Sequence, residues 1–96
     1  MKERLYLIDL YDIYESLLTE KQRMYFEDYY FNNYSLSEIS ENYGISRNAI
    51  HKALKETEEK LNNFEDNLKI NEKNKKILSL IKDNELLKKI EKIIEE

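Results

Sequence analysis

Ninety-six residues, 41% of them hydrophobic and 38% charged, make one domain with a single modest core and exclude a second, catalytic domain. The absence of cysteine removes disulfides, thiolate nucleophiles and cysteine-held metals, and a formal net charge of -4 argues against nucleic-acid binding by bulk attraction. With no proline and one glycine, turns fall to Asn, Asp and Ser while helices run unbroken, which predicts an all-α protein.

No apolar run approaches the roughly 18 residues of a membrane span, and the N-terminal MKERLYLIDLYDIYE is punctuated by acids where a signal peptide would be continuous. A cytoplasmic protein with no membrane partner is expected. Residues 1–34 carry four basic and seven acidic side chains, residues 35–70 five and seven, and residues 71–96 seven and six. Charge is not segregated along the chain, so any cationic surface has to be a local stripe.

The first helix is predicted over Glu3 to Leu17, with Leu7, Leu10, Tyr14 and Leu17 as its apolar edge, widened by Tyr6, Tyr11 and Ile13. Asp9, Asp12 and Glu15 take the opposite face. Thr19 with Gln22 forms a T-x-x-Q capping box for a second helix, Glu20 to Phe31. That helix carries Tyr25, Phe26, Tyr29, Tyr30 and Phe31, more aromatic surface than one face of a short helix hides. Asn32 and Asn33 end it.

Ser35 and Glu38 make a second capping box, with Tyr34 and Ile39 spaced as a hydrophobic staple. Leu36, Ile39 and Tyr43 form the inner edge of the third helix, and Gly44 follows where a left-handed backbone disfavours a Cβ. Ile45 is expected to re-enter the core and to staple onto Ile50, while Ser46 caps the fourth helix. The stripe Ile50, Ala53, Leu54, Thr57, Leu61, Phe64 and Leu68 makes this the longest predicted element. Two amphipathic helices meeting at one glycine read as a helix-turn-helix.

Past Phe64 the aromatics stop. A joint is predicted at Asn71 to Asn74, a short helix around Ile77, Leu78, Leu80 and Ile81, and a last helix capped by Asp83 using Leu86, Leu87, Ile90, Ile93 and Ile94. The predicted organisation is a single helical domain over 1–96, with the helix-turn-helix and long recognition helix at 35–68 and a helical extension at 71–96. The extension either packs on the core or pairs with a second copy.

In a helix-turn-helix the second helix enters the major groove, so the solvent side of the fourth helix is the candidate nucleic-acid surface. Asn48, His51, Lys52 and Lys55 fall away from the apolar stripe, and Arg47 borders them. Arg and Lys suit guanine or phosphate, Asn pairs with adenine, and a helix N-terminus favours phosphate. Against this stand Glu56, Glu58 and Glu59 just downstream, and a polar helix face is commonly only solvated. With Arg47, Lys52, Lys55 and Lys60 as phosphate partners, raising salt from 50 to 200 mM costs about a hundredfold in affinity.

His51 is the only histidine and no ligand spacing surrounds it, so no metal is expected. Ser46 has no base placed beside it in sequence, and no glycine-rich phosphate loop exists. Neither catalysis nor a cofactor is expected.

LLTEKQRMYFEDYY from Leu17 to Tyr30, followed by SLSEISENYGISRNAIHKALKETEEKLNNFEDNL from Ser35 to Leu68, resembles the bacterial YlxM family, small proteins similar to region 4 of sigma factors. Two separated motifs occur in that family's order and spacing, closely over Leu10 to Leu68 and loosely elsewhere. The resemblance implies an all-helical fold with a DNA-binding-type helix-turn-helix, a gene neighbourhood beside the signal recognition particle GTPase, and a part in assembly or regulation of that particle. Matched residue by residue, it puts the recognition positions at Ser46, Arg47, Asn48, His51 and Lys52. The chain departs from the family at Ala53 and Leu54, followed by Lys55 and Glu56, where the family tends to be more basic.

Three functional readings stay open. The first is an accessory factor whose fourth helix contacts DNA or the particle RNA. The second is a protein-interaction module that binds the particle GTPase through its acidic first helix or its surplus aromatics. The third is a homodimeric transcriptional regulator paired through the extension.

Overall fold

The computed structural model describes residues 2–96. Six helices follow in order: α1 Lys2–Tyr14, α2 Glu20–Tyr30, α3 Leu36–Tyr43, α4 Arg47–Leu68, α5 Ile70–Ser79 and α6 Asn84–Glu95, with a 3-10 turn at Glu15–Leu17 after α1. No strand occurs among the described residues. α4 is the spine, and α1, α2 and α3 pack along it.

Two cores divide the length of α4. Leu7, Leu10, Tyr11 and Tyr14 of α1 bury against Leu18, Phe26, Tyr30 and Leu61. Tyr25, Ile39, Ile50 and Leu54 make the second cluster beneath the helix-turn-helix. The aromatic excess of α2 is explained by this division: one flank stacks Phe26 on Tyr11 at 4.4 Å and on Tyr30 at 4.3 Å, while Tyr25 serves the other core. Tyr29 packs against both clusters, and Phe31 is left exposed.

α1 stops at Tyr14, short of the predicted Leu17. The next three residues tighten into a 3-10 turn, whose carbonyls are held by Arg23: its Nη1 donates to Leu18 O at 2.7 Å and to Glu15 O at 3.4 Å. Tightening to about three residues per turn shifts the register. Leu18 therefore enters the core, and Leu17 stands 49% exposed. Arg4 does similar work at the end of α2, donating to Tyr30 O at 2.7 Å and to Asn33 Oδ1 at 3.0 Å, where a cation complements the helix dipole.

Both capping boxes are present, at Thr19 with Gln22 and at Ser35 with Glu38. Asn33, in the turn that ends α2, adopts the left-handed region at φ 57°. The joint predicted at Asn71 to Asn74 lies earlier and is a single residue: Lys69, at φ 56°, both ends α4 and precedes α5. Leu68 consequently leaves the core stripe, and Leu80, assigned to a helix by periodicity, lies beyond α5 and is 80% exposed.

What allows so abrupt a turn is Glu65, a buried carboxylate. Its oxygens accept from Tyr14 OH at 2.6 Å and from the α5 amides of Asn71 at 3.1 Å and Glu72 at 3.0 Å, and Tyr14 OH accepts from Ile70 N at 3.3 Å. A negative charge at a helix N-terminus satisfies amides that the helix itself leaves orphaned. One side chain of α4 thus caps α5 and ties both to α1.

Four tyrosines donate to carboxylates: Tyr11 to Glu27, Tyr14 to Glu65, Tyr30 to Glu58 and Tyr43 to Asp28. Burial, and then the hydrogen-bonded carboxylate, push the Tyr14 and Tyr43 phenols up to about 12. A phenol whose pKa rises on folding contributes stability that is complete below its unfolded value near 10 and is lost as pH climbs through the folded value. Absorbance at 295 nm should therefore show late-ionising tyrosines, with the helical signal falling between about pH 10 and 12. Tyrosines that all titrate near 10 while the helices persist would contradict these pairings.

Candidate nucleic-acid interface

The turn between α3 and α4 is three residues long and depends on Gly44, which takes φ 67° and ψ 30°. Its amide donates to Ser40 O, Ser40 Oγ donates to Ile45 O, and Tyr43 OH reaches Asp28 Oδ2 at 2.8 Å, fixing the end of α3 to α2. The Tyr43 ring meets Tyr25 edge-on at 5.1 Å. Beyond Gly44 and its two chain neighbours no atom lies within 4 Å of a Cβ placed on Gly44, so Gly44→Ala meets no tertiary clash and costs only the backbone preference, about 1 kcal/mol. A melt should register that loss with the helical signal unchanged. A drop above about 3 kcal/mol would mean a steric role the geometry lacks.

Ile45, expected in the core, is instead 37% exposed. The inward position beside the turn is taken instead by Ile50 in the first turn of α4, which is buried with Ile39 and Leu54. Ser46 accepts from Ala49 N at 3.1 Å, which fixes the start of α4 and leaves its hydroxyl proton free to donate outward.

Arg47, Asn48, His51, Lys52 and Lys55 are all exposed. At about 100° per residue Lys52 stands opposite the buried line of Ile50, Leu54 and Leu61, with Asn48 and Lys55 beside it and Arg47 and His51 on one flank. Among the described residues the only ion pairs are Lys75 with Asp9 and Lys76 with Glu72, so the cations of this patch have no acidic partner. The five side chains share the first turns of one helix, and Ser46 sits at its cap.

Two charges behave differently from their reading in sequence. Glu58 turns inward and accepts from Tyr30 OH at 2.6 Å, so the acids bordering the patch reduce to Glu56 and Glu59. Lys60 lies on another flank, where it donates to Gln22 Oε1 at 3.3 Å and faces the Phe64 ring at 6.0 Å, so it does not extend the patch. Arg23 and Arg4 are equally committed to backbone carbonyls. Sequence spacing could not separate these cations, because their partners lie in α2, in the turn that ends it and in the segment between α1 and α2.

Among the described residues no three His, Cys, Asp or Glu side chains group as a metal site, and no helix is long and apolar enough to cross a membrane. A short left-handed turn between two capped helices, the second with an exposed polar face over a dedicated core, defines a helix-turn-helix protein. The chain belongs to the UPF0122 family, YlxM / p13 like, which it matches over residues 1–96. It is 48% identical over 94 residues to a UPF0122 protein of Ureaplasma parvum serovar 3, covering 95% of each chain. A UPF0122 protein of Caldanaerobacter subterraneus subsp. tengcongensis is 46% identical over 91 residues, 95% of this chain and 70% of the relative. One from Malacoplasma penetrans is 47% identical over 81 residues, 81% of this chain and 76% of the relative.

Proposed function

We propose that this protein is a non-enzymatic accessory factor that holds nucleic acid against the first turns of α4, with duplex DNA or the signal recognition particle RNA as its target. The observation that carries the reading is the cationic set Arg47, Lys52 and Lys55, which makes no ion pair among the described residues and is interleaved with Asn48 and His51 on an exposed face. On duplex DNA this face enters the major groove, with Asn48 at base edges and Arg47, Lys52 and Lys55, with the Ser46 cap, at phosphates. A-form RNA closes its deep groove to a helix, so on RNA the same side chains meet phosphates and unpaired bases. Titrating the protein into labelled particle RNA and labelled duplex DNA at low salt tests the proposal and separates the targets. Binding to neither would end it.

A dimeric form of the same reading is favoured by one observation. No residue of α6 is buried, and Leu86, Ile90 and Ile93, spaced four and three apart, make an outward ridge on which Ile93 is 67% exposed. Pairing through this ridge would carry two recognition helices on one assembly. Sedimentation should then show a dimer that L86K with I93K dissociates. A monomer at every concentration rejects the pairing.

A further inference from the structure

α1, α5 and the C-terminal end of α6 enclose a groove of about 730 Å³ at the end of the protein remote from the exposed face of α4. Its floor is apolar, made by Ile13, Ile70, Leu78 and Ile94. Ile70 and Ile94 are exposed there although both are large aliphatics. Its walls are acidic: Asp9 and Asp12 of α1 and Glu15 of the 3-10 turn that follows it succeed one another at three-residue intervals, and Glu95 and Glu96 close the far side. Among the described residues Lys75 is the only cation lining it and is drawn to Asp9 at 3.5 Å, leaving four carboxylates without an ionic partner there. Burial, with the charges of Asp9 and Glu15 beside it, raises the Asp12 carboxyl above its ordinary range.

We propose that this groove docks an amphipathic helix of another protein, one that lays an aliphatic stripe on the floor and sets Lys or Arg against the walls. Apolar floor and acidic rim are the complement of that ligand and of few others. Nucleic acid is repelled by the same carboxylates. A second copy is a poorer complement, because its own α6 carries Glu91, Glu95 and Glu96 beside Lys88, Lys89 and Lys92 and so brings carboxylates as well as ammoniums to walls already negative. Some 19 residues of α4 separate the Ser46 cap from Glu65 at the groove end, about 28 Å at helical rise, so both surfaces can be occupied at once. The groove proposal stands whether or not α4 binds nucleic acid.

The test titrates the full chain into a fluorescein-labelled helical peptide of Leu and Lys in amphipathic repeat, and into a scrambled peptide of the same composition. The amphipathic peptide should bind about tenfold tighter than the scrambled one. Neutralising the wall with Asp9→Asn, Asp12→Asn and Glu15→Gln together should weaken it at least about tenfold. Neutralising Glu41, Glu56 and Glu59 to Gln changes net charge equally, on α3 and α4, and should leave the affinity within about twofold. Circular dichroism verifies that both triple variants fold. Equal losses in the two triples, equal binding of the two peptides, or no binding at all would overturn the proposal. A dimer that the peptide dissociates would overturn it too, by making a second copy the occupant.

Discussion

Replacing Glu65 with alanine is expected to lower the melting midpoint by roughly 10–20 °C, a loss of about 3 kcal/mol in a chain of this size. The residue is buried and its carboxylate accepts three hydrogen bonds, from Tyr14 OH and from the amides of Asn71 and Glu72. Truncation leaves three buried or half-buried donors without an acceptor, each costing about 1 kcal/mol or more, and removes the negative charge at the start of α5. Glu65→Gln should cost less. Its remaining Oε1 can still accept from Tyr14 and Asn71, and only the bond to Glu72 N is replaced by a donor facing a donor.

The loss should also be uneven. α5 and α6 hang on this joint, whereas the core of Tyr25, Ile39, Ile50 and Leu54 does not touch it. Hydrogen exchange in the alanine variant should accelerate most in α5 and α6 and least in α3. A double-mutant cycle with Tyr14→Phe should return a coupling of about 1 kcal/mol, since the two side chains share one bond. Uniform acceleration across all helices, or additive effects, would show that Glu65 is an ordinary surface acid.

Changing Arg47, Lys52 and Lys55 together to alanine should flatten the salt dependence of nucleic-acid binding by nearly three units of slope, at about 0.9 per phosphate contact. If the electrostatic part vanishes near 1 M salt, the same three contacts are worth on the order of a thousandfold in affinity at 50 mM. The wild-type protein should lose about fortyfold between 50 and 200 mM. That is less than four contacts would give, because Lys60 is held by Gln22 and does not join the patch. All three side chains are exposed and make no ion pair among the described residues, so the triple variant should melt within about 1 kcal/mol of wild type. An unchanged slope and affinity would assign the binding to another face.

Much of the candidate site is legible in sequence because its determinants are local. Ser46 caps α4 through an amide three residues away, Gly44 turns the chain with its own backbone, and Asn48, His51, Lys52 and Lys55 are placed outward by the apolar period that Ile50, Leu54 and Leu61 set. Glu65 is harder to read, because an acid in a helical pattern looks like a surface residue. Its position four after Leu61 and three before Leu68, on the apolar side of the helix, is the available signal. The turn at Lys69 is hidden for a related reason: a non-glycine left-handed residue has no local signature when the carboxylate that caps α5 comes from the preceding helix.

By itself, then, the sequence determined that α1 to α4 form, the caps at Thr19, Ser35 and Ser46 and the outward face of α4, all of which depend on residues three or four apart, but not where α1 stops or α5 begins. Only the tertiary structure decided which charges are free. Glu58, Lys60, Arg23 and Arg4 each find partners that lie elsewhere in the chain or on a backbone carbonyl. Charge pairing depends on distance in space, and a helical period specifies an angle about one axis but not what stands opposite. The acidic groove is likewise invisible along the chain, because its floor and walls come from α1, α5 and α6 and meet only when Glu65 seats α5 beside α1.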